Sequence, residues 1–338
     1  ATLTQIGESA AGNAFGGKVG PGQTARIFTG APVPKGADAI VMQEDTEVAG
    51  DQITMTVAPW PGKFVRPAGL DFQLGDVGIT ANRVLSSRDV GLAAAMNVPW
   101  LTVARRPRIA LLATGDEIVR PGEPVGPNQI ISSNTIALMG LIKASGGEAI
   151  DLGIASDDEA SLRALAAGAR GADMLVTLGG ASVGDHDLVR KVLGQDGLEL
   201  DFWRIAMRPG KPLIFGSIGE TPMMGMPGNP VSSLVCGIVY LRPAVRAMLG
   251  LDPHAASQTA RLGQDLPGND LRQDYLRATA SLNEDGETVV TPFDKQDSSM
   301  LSRLAKADCL ILRAPHADPA KAGERVEILP LSGETTGI

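Results

Sequence analysis

The chain is organised around Met174-Leu175-Val176-Thr177-Leu178-Gly179-Gly180-Ala181-Ser182-Val183-Gly184-Asp185-His186-Asp187. An apolar run there passes directly into a glycine-rich turn, and a helix-like segment follows, which predicts a turn at the end of a strand. In α/β proteins such turns build anion sites, because glycine lets the backbone approach a ligand and the amides of the next helix attract phosphate. Gly179, Gly180 and Gly184 are therefore predicted to contact an anionic ligand. Ser182, Asp185 and Asp187 are suited to hold a hydroxyl group or a hydrated cation.

Two later stretches repeat this arrangement of apolar run, Gly/Pro turn and polar side chains. They are Arg208-Pro209-Gly210-Lys211-Pro212 and Met226-Pro227-Gly228-Asn229-Pro230-Val231-Ser232. The spacing around Lys211 is not that of a Walker lysine, and taken alone this residue is better interpreted as a surface lysine held in a proline-flanked loop. Together with Arg204 and Arg208, however, it forms a local cationic cluster suited to an anionic small molecule.

From residue 108 onward, strand-like and helix-like segments alternate, which predicts a mostly parallel sheet with helices on both faces. Strands are expected at 109–113, 149–154 and 174–177, and Pro243 is expected to kink or divide a long helix over 231–249. The flanking regions are rich in short strands and turns, with one strand expected at 39–43 and a helix N-cap at Ser87. The predicted fold is thus a central α/β/α sandwich domain flanked by β-rich domains, in an elongated multi-domain subunit.

Acidic residues follow three of the predicted parallel strands. Because the carboxyl ends of such strands share one edge of the sheet, Glu117, Asp157 and Asp187 are expected to converge there. Each also has an ordinary structural explanation. Glu117 and its neighbour Asp116 are compatible with a turn, Asp157 with a helix N-cap, and Asp187 with a solvated carboxylate in a first helical turn.

Composition excludes several classes of protein. The net charge of −8 argues against general affinity for nucleic acids or anionic membranes, and no apolar run reaches the roughly 20 residues of a membrane span. The first residues show no signal peptide. Cys236 and Cys309 lie in apolar surroundings typical of buried thiols, which fits a reducing cytoplasm. The histidines and cysteines do not have the spacing of zinc ligands, so His186 is interpreted as structural or peripheral. The sequence also lacks the GxSxG motif of a nucleophilic hydrolase.

Five motifs, taken in order, resemble the molybdopterin molybdenumtransferases of molybdenum cofactor biosynthesis. The resemblance covers essentially the whole chain. It implies a four-part homodimer whose α/β domain binds adenylylated molybdopterin, inserts molybdate and releases AMP with the help of Mg²⁺. The motifs are Arg26-Ile27-Phe28-Thr29-Gly30-Ala31-Pro32-Val33-Pro34, Thr114-Gly115-Asp116-Glu117, residues 178–185, residues 208–212 and residues 227–232.

The resemblance also implies the roles of individual residues. The catalytic carboxylates would be Asp71, Glu117, Asp157 and Asp187, with Glu117 and Asp187 also binding the metal. Further positions that match the family and would bind substrate are Thr29, Pro227, Pro230 and a serine of Gln296-Asp297-Ser298-Ser299, taken as Ser298. Asn229 completes the predicted binding residues.

The sequence departs from the family pattern in two places. Two family lysines match Arg204 and Arg208 here, which keeps the positive charge but presents a planar fork suited to oxyanions. The family's Met-Asp-Gly-Tyr-Ala stretch has no counterpart among these residues.

The expected domains are a β-rich domain at 1–70, a connecting domain at 71–106 that normally pairs with that missing segment, the α/β domain at 107–254 and a barrel-like domain at 255–338.

Three other functions are compatible with parts of this pattern. A molybdopterin adenylyltransferase would resemble the α/β domain alone, so the β-rich regions at 1–106 and 255–338 argue against it. A non-catalytic scaffold of the gephyrin type would be favoured by a long fused linker, which this sequence does not contain. A nucleotide-pyrophosphate hydrolase with the same α/β domain is a more distant possibility.

The expected partners are a second copy of the chain, the adenylyltransferase and apo-molybdoenzymes, and the choice between molybdenum and tungsten is left open.

Overall fold

The structure is a computed structural model that describes residues 1–180, 188–254 and 257–331. The chain divides into two compact units. The first comprises residues 1–81 and 85–99, and the second comprises residues 82–84 and 100–338. The four domain boundaries expected from the sequence stay a prediction.

The first unit contains a four-stranded sheet and one helix. The strands run in the order β2-β1-β4-β3, with β1 and β2 parallel and the other pairs antiparallel. The elements are β1 (Thr2–Ser9), β2 (Gln23–Ile27), β3 (Thr46–Ala49), β4 (Gln52–Met55) and α1 (Ser87–Ala95).

Two local predictions for this unit are wrong. Residues 39–43 do not join the sheet, because the Ile40 amide donates to the Lys63 carbonyl (3.0 Å) and a short 3-10 turn begins at Gln43. Helix α1 is capped one residue earlier than expected. The Ser86 hydroxyl accepts from the Asp89 amide (3.3 Å) and the Asp89 carboxylate accepts from the Ser86 amide (2.7 Å), the reciprocal pair of a capping box.

The second unit contains the remaining strands and helices. Its strands are β5 (Arg108–Thr114), β6 (Ile118–Val119), β7 (Ile130–Ile131), β8 (Glu148–Ala155), β9 (Met174–Leu178), β10 (Leu198–Trp203), β11 (Met207–Arg208), β12 (Ile214–Ile218), β13 (Thr221–Met226), β14 (Gln258–Leu262), β15 (Gln273–Leu282), β16 (Thr288–Pro292), β17 (Cys309–Arg313) and β18 (Arg325–Pro330). Its helices are α2 (Asn134–Ala144), α3 (Glu159–Ala166), α4 (Leu188–Gln195), α5 (Pro230–Cys236), α6 (Arg242–Met248) and α7 (Leu301–Ala305).

The central sheet has the order β10-β12-β13-β9-β5-β8, and β13, β9, β5 and β8 are parallel. Both faces are buried, because side chains alternate between two cores along each strand. On β5, Ile109 and Leu111 face one core with α2, α5 and α6, whereas Ala110 and Leu112 face the other with α3 and α4. The α/β/α arrangement with its mostly parallel sheet is therefore confirmed.

One helix detail differs from expectation. The N-cap of α3 is Asp158, whose carboxylate accepts from the Ser161 amide (2.8 Å), and not Asp157. The long helix is divided next to Pro243, as expected. A π-helical turn over Gly237–Leu241 separates α5 from α6, and Pro243 lies in the first turn of α6, where its missing amide hydrogen is tolerated.

The run Pro230–Met248 is the one helix of the described residues that is long and apolar enough to cross a membrane. Half of it is buried inside the protein, and Val231, Val235 and Leu241 are fully enclosed in the core of the central domain. It is therefore explained as a core helix, since such helices meet the same criteria of length and composition.

The C-terminal strands form a small closed barrel. The sheet has the order β11-β15-β16-β14-β18-β17, and β17 pairs with β15 as well as with β18, so strands β14 to β18 close on themselves. Strand β17 connects this barrel to the central domain. Cys309 and Ile311 point into the barrel, whereas Leu310 packs in the core of the central domain. The predicted β-rich C-terminal domain is confirmed.

Candidate active site

The turn after β5 presents two exposed carboxylates. Asp116 and Glu117 occupy the middle of a turn closed by the Ile118 amide, which donates to the Gly115 carbonyl (3.2 Å). Gly115 has φ +132°, and a Cβ atom at this position would lie 2.4 to 2.6 Å from the Glu117 carboxyl group. Glycine is therefore favoured here by the backbone conformation, whereas the exposed Glu117 side chain could move away from a Cβ atom.

Asp157 connects this turn to the end of β8. The Asp157 amide donates to the Asp116 carboxylate (3.1 Å), and the Asp116 amide lies 3.5 Å from the Asp157 carboxylate. The two strand ends are thus joined by reciprocal contacts between two acidic residues. The two negative side chains lie side by side at the edge of the sheet, where they favour a cationic ligand.

Two open clefts meet at Asp116. One has a volume of about 440 Å³ and is lined by Asp116, Arg120 and Ser156, with apolar side chains of β8 behind them. The other has a volume of about 600 Å³ and is lined by Asp116, Glu117 and residues 126–129. Both volumes lie in the range of small-molecule sites, so the edge next to Glu117 and Asp157 has room for a substrate.

Gly179, directly after β9, packs tightly between the ends of the neighbouring strands. The Gly179 amide donates to the Met226 carbonyl at the end of β13 (3.2 Å), and the Thr114 hydroxyl at the end of β5 donates to the Leu178 carbonyl (3.4 Å). Gly179 has φ +88°, and a Cβ atom there would lie 3.0 Å from the Thr114 carbonyl oxygen. The ends of β5, β8, β9 and β13 therefore form one continuous edge, as the parallel topology predicts.

The third turn, from Pro227 to Pro230, leads from β13 into α5. Pro227 is buried, Asn229 is exposed and Pro230 is the first residue of the helix. The Asn134 amide group at the start of α2 donates to the Gly228 carbonyl (2.7 Å), which holds the turn from the other side. This turn thus lies on the same edge as Gly179.

Ser298 reaches this edge from the barrel. Its hydroxyl accepts from the Asn229 side-chain amide (3.2 Å), and its carbonyl accepts from the Val231 amide in the first turn of α5 (3.1 Å). Both residues were predicted to bind substrate, but no local sequence pattern predicts their direct contact, because 69 positions separate them. The structure therefore brings together one predicted binding residue of the barrel and one of the central domain.

The three cationic residues of the predicted cluster lie in different surroundings. Arg208 is engaged by acidic residues of the barrel. Its Nε donates to the buried carboxylate of Asp274 (2.8 Å), and its other nitrogens donate to Asp270 (3.2 Å) and Asn269 (3.2 Å). Hydrogen bonds from Arg272 hold the pKa of Asp270 at about 2, so this carboxylate stays ionised beside Arg208. Sequence reasoning missed these acidic partners, although they cluster within residues 270–274.

Lys211 and Arg204 are not engaged in this way. Lys211 is exposed and forms no ion pair with any residue in the described ranges. The Arg204 guanidinium stacks on the Trp203 ring at 3.9 Å, and Arg190 of α4 lies 4.4 Å from the centre of the same ring. Strand β10 points in the same direction as β13, so Arg204 follows its carboxyl end, on the edge that carries the glycine turns. No sequence pattern pointed to Trp203.

Several predicted site residues cannot be placed at this edge. Ser182, Gly184 and Asp187, with their neighbours Asp185 and His186, lie outside the described residues. Thr29 and Asp71 are exposed residues of the first unit, and Thr29 lies in a turn closed by the Ala31 amide, which donates to the Phe28 carbonyl (2.9 Å). Within the ranges 1–180, 188–254 and 257–331, no group of three or more acidic, histidine or cysteine side chains could hold a metal ion.

Three family models together match nearly the whole chain. The MoeA N-terminal region (domain I and II) matches residues 1–97, the Probable molybdopterin binding domain matches residues 110–247, and the MoeA C-terminal region (domain IV) matches residues 259–331. The second of these covers all the strands whose ends form the candidate site.

Individual relatives agree with this assignment. A molybdopterin molybdenumtransferase of Haemophilus influenzae is 34% identical over 98% of this chain and 83% of its own length. Molybdopterin molybdenumtransferase 2 of Mycobacterium tuberculosis is 33% identical over 91% of this chain and 77% of its own length. A crystal structure of a molybdopterin biosynthesis MoeA protein from Pyrococcus horikoshii has a TM-score of 0.83 at 32% identity, over 97% of this chain and 81% of that one. The chain therefore belongs to the molybdopterin molybdenumtransferases, a family of transferase enzymes of molybdenum cofactor biosynthesis.

Proposed function

We propose that this protein inserts molybdate into adenylylated molybdopterin and releases AMP. The observation that carries this proposal is the single edge at which glycine turns (Gly179, Gly180) lie beside exposed carboxylates (Glu117, Asp157). The substrates are anionic, so backbone amides and cationic side chains are needed to bind them. The carboxylates serve a different purpose, because negative groups hold a cation rather than an anion.

Glu117 and Asp187 are the proposed ligands of Mg²⁺. The exposed carboxylate of Glu117 provides the hard oxygen atoms that this ion prefers, and Mg²⁺ is usually held by only one or two carboxylates together with substrate phosphates. When bound, the cation supplies positive charge that neutralises the phosphate oxygens of the substrate. Asp157 supports this site by fixing the Glu117 turn through its contacts with Asp116.

The anion-binding roles are divided among the remaining residues. Gly179 and Gly180 offer backbone that a phosphate can approach closely, with φ values of +88° and +65°. Arg204 and Lys211 supply positive charge, and Asn229 and Ser298 supply hydrogen-bonding groups next to Pro227 and Pro230. Arg208 acts mainly as an ion-pair partner of Asp274, so an anion would have to compete with that carboxylate. Thr29 is proposed to bind substrate and Asp71 to act in catalysis because both positions match the family.

Replacing Lys211 by Ala is expected to weaken AMP binding by about 1.5 to 3 kcal/mol, the usual contribution of a hydrogen bond to a charged group. The loss should be larger at low salt, where electrostatic attraction is less screened. Calorimetric titration with AMP at two ionic strengths measures both effects. Lys143→Ala is the matched control, because this exposed lysine lies in the last turn of α2, next to the start of β8. Unchanged affinity and salt dependence in the Lys211 variant would exclude it from the anion site.

The proposed function is tested by incubating the protein with adenylylated molybdopterin, molybdate and Mg²⁺. We expect stoichiometric AMP release and a product that activates an apo-molybdoenzyme. A molybdopterin adenylyltransferase would instead consume ATP and molybdopterin and would release no AMP. A scaffold of the gephyrin type would give neither reaction. Repeating the assay with tungstate in place of molybdate identifies the preferred metal.

The same proposal includes a cytoplasmic homodimer that transiently contacts the adenylyltransferase and apo-molybdoenzymes. Exposed apolar side chains of the first unit, including Phe64, Leu74 and Val77, support an interaction surface there. Light scattering at micromolar concentration is expected to give twice the 35.0 kDa mass of one chain. A particle with the mass of one chain across that concentration range would contradict the dimer.

A further inference from the structure

Arg277 is a buried charged residue on the outer face of the barrel sheet, opposite Leu310 of β17, which packs in the core of the central domain. It lies on β15 with 1% of its surface exposed and is the largest fully buried side chain of the described residues. A buried guanidinium is stable only when its donors are matched, and here Nε donates to the Gln296 side-chain carbonyl (3.0 Å) while Nη1 donates to the Asp297 carbonyl (2.8 Å). Arg277 is therefore bound to the segment 293–299.

Gln296 completes this contact from the other side. Its side-chain oxygen also accepts from the Arg277 amide (3.0 Å), and its nitrogen donates to the carbonyls of Arg277 (3.0 Å) and Phe293 (3.0 Å). All hydrogen-bonding positions of this amide group are thus used. The network around Gln296 thus restrains the conformation of the segment.

The outer side of the same segment contacts the central domain. Asp297, whose carbonyl is held by Arg277, immediately precedes Ser298, whose carbonyl and hydroxyl are bound by Val231 and Asn229. A single peptide unit therefore separates the buried arginine contact from the substrate-binding edge. Any shift of Asp297 must move Ser298.

We propose that Arg277, together with Gln296, is a positioning residue that places Ser298 against Asn229 and the first turn of α5. This inference rests on the proposed function, because Ser298 acts there as a substrate-binding residue. Arg277 itself touches no substrate. Its role is to hold one segment of the barrel in place at the binding edge, so that this segment is already ordered before substrate binds.

The first test measures hydrogen exchange in the full-length protein without any ligand. Arg277→Met is expected to raise the exchange rate of the Val231 amide and of residues 294–299 at least tenfold, since the Ser298 carbonyl would no longer be held against Val231. Arg261→Met, which removes an arginine of β14 that pairs with Glu287, is the matched control and should leave both regions unchanged. Unchanged Val231 exchange in the Arg277 variant overturns the proposal.

A second variant separates positioning from loss of the barrel. Gln296→Glu keeps an acceptor for Arg277 but removes the two donors that hold the segment, so faster exchange should be confined to residues 294–299 and the Val231 amide. Amides of β17 report the barrel itself and should exchange at the wild-type rate. Equal acceleration in β17 and in residues 294–299 would show a structural role only and would contradict the inference.

A double-mutant cycle on AMP affinity tests the link to the site. We expect Ser298→Ala and Arg277→Met each to raise the dissociation constant for AMP about tenfold, and the double variant to raise it no further. Independent effects that multiply to about 100-fold would overturn the inference. If Ser298→Ala alone leaves AMP affinity unchanged, the assignment of Ser298 to the site fails, and the exchange of the Val231 amide still decides whether Arg277 positions the segment.

Discussion

Exchanging Glu117 for Gln is expected to lower single-turnover AMP release by about 100-fold or more, the effect typical of removing one preorganised electrostatic contact. The substitution keeps the shape of the side chain and removes its charge. Within the described part of the chain, the exposed carboxylate beside Gly115 forms no hydrogen bond or ion pair on which the fold depends. Affinity for adenylylated molybdopterin should therefore persist. An interaction that is stronger in the transition state than in the bound substrate changes turnover and leaves the dissociation constant unchanged.

The measurement is rapid-quench AMP release under single-turnover conditions, next to equilibrium binding of the same substrate. Glu148→Gln is the matched control, because this exposed glutamate begins β8 at the opposite edge of the sheet. Release at the wild-type rate by the Glu117 variant would remove this residue from the mechanism. Loss of binding would show instead that Glu117 supports the structure of the turn.

The second large effect is expected for Gly180→Ala, on the stability of the central domain. Gly180 has φ +65°, and a Cβ atom there would lie 2.6 Å from a methyl group of the buried Val189. Left-handed backbone in a residue with a Cβ atom and an overpacked contact each destabilise, so together we expect a decrease of about 2 to 5 kcal/mol in the free energy of unfolding.

Gly197→Ala isolates the first of these two contributions. Gly197 has φ +93°, but no atom lies within 4 Å of a Cβ atom built on it. The expected loss is therefore only about 1 to 2 kcal/mol. Native-state hydrogen exchange of the β9 amides measures the free energy of unfolding of both variants. Equal losses in the two variants would show that Val189 moves aside and that Gly180 is not tightly packed.

The sequence predicted the central domain well, because its patterns are local. The apolar run Met174–Leu178 followed by glycines is a strand and a turn in the structure, and the alternation from residue 108 produces the parallel sheet. The position of Glu117 and Asp157 on one edge follows from the same topology. The expected strand at 39–43 failed because a short apolar segment does not itself specify a partner strand.

The contacts that complete the site are long-range, and no local pattern of residues predicts them. The reciprocal bonds between Asp116 and Asp157 depend on the register of β5 against β8. Arg208 was predicted to bind an anion, whereas in the structure it pairs with Asp274 of the barrel.

Local patterns of hydrophobicity, glycine and proline therefore determined the strands, the turns and the family of this protein, since each depends on residues close together in the chain. Tertiary structure alone decided which charges are neutralised by partners and that Ser298 of the barrel meets Asn229. The physical reason is that hydrogen bonds and ion pairs act over a few ångströms in space. Folding brings together residues that are far apart in the chain, and nothing in the sequence near either residue indicates that the two will be in contact.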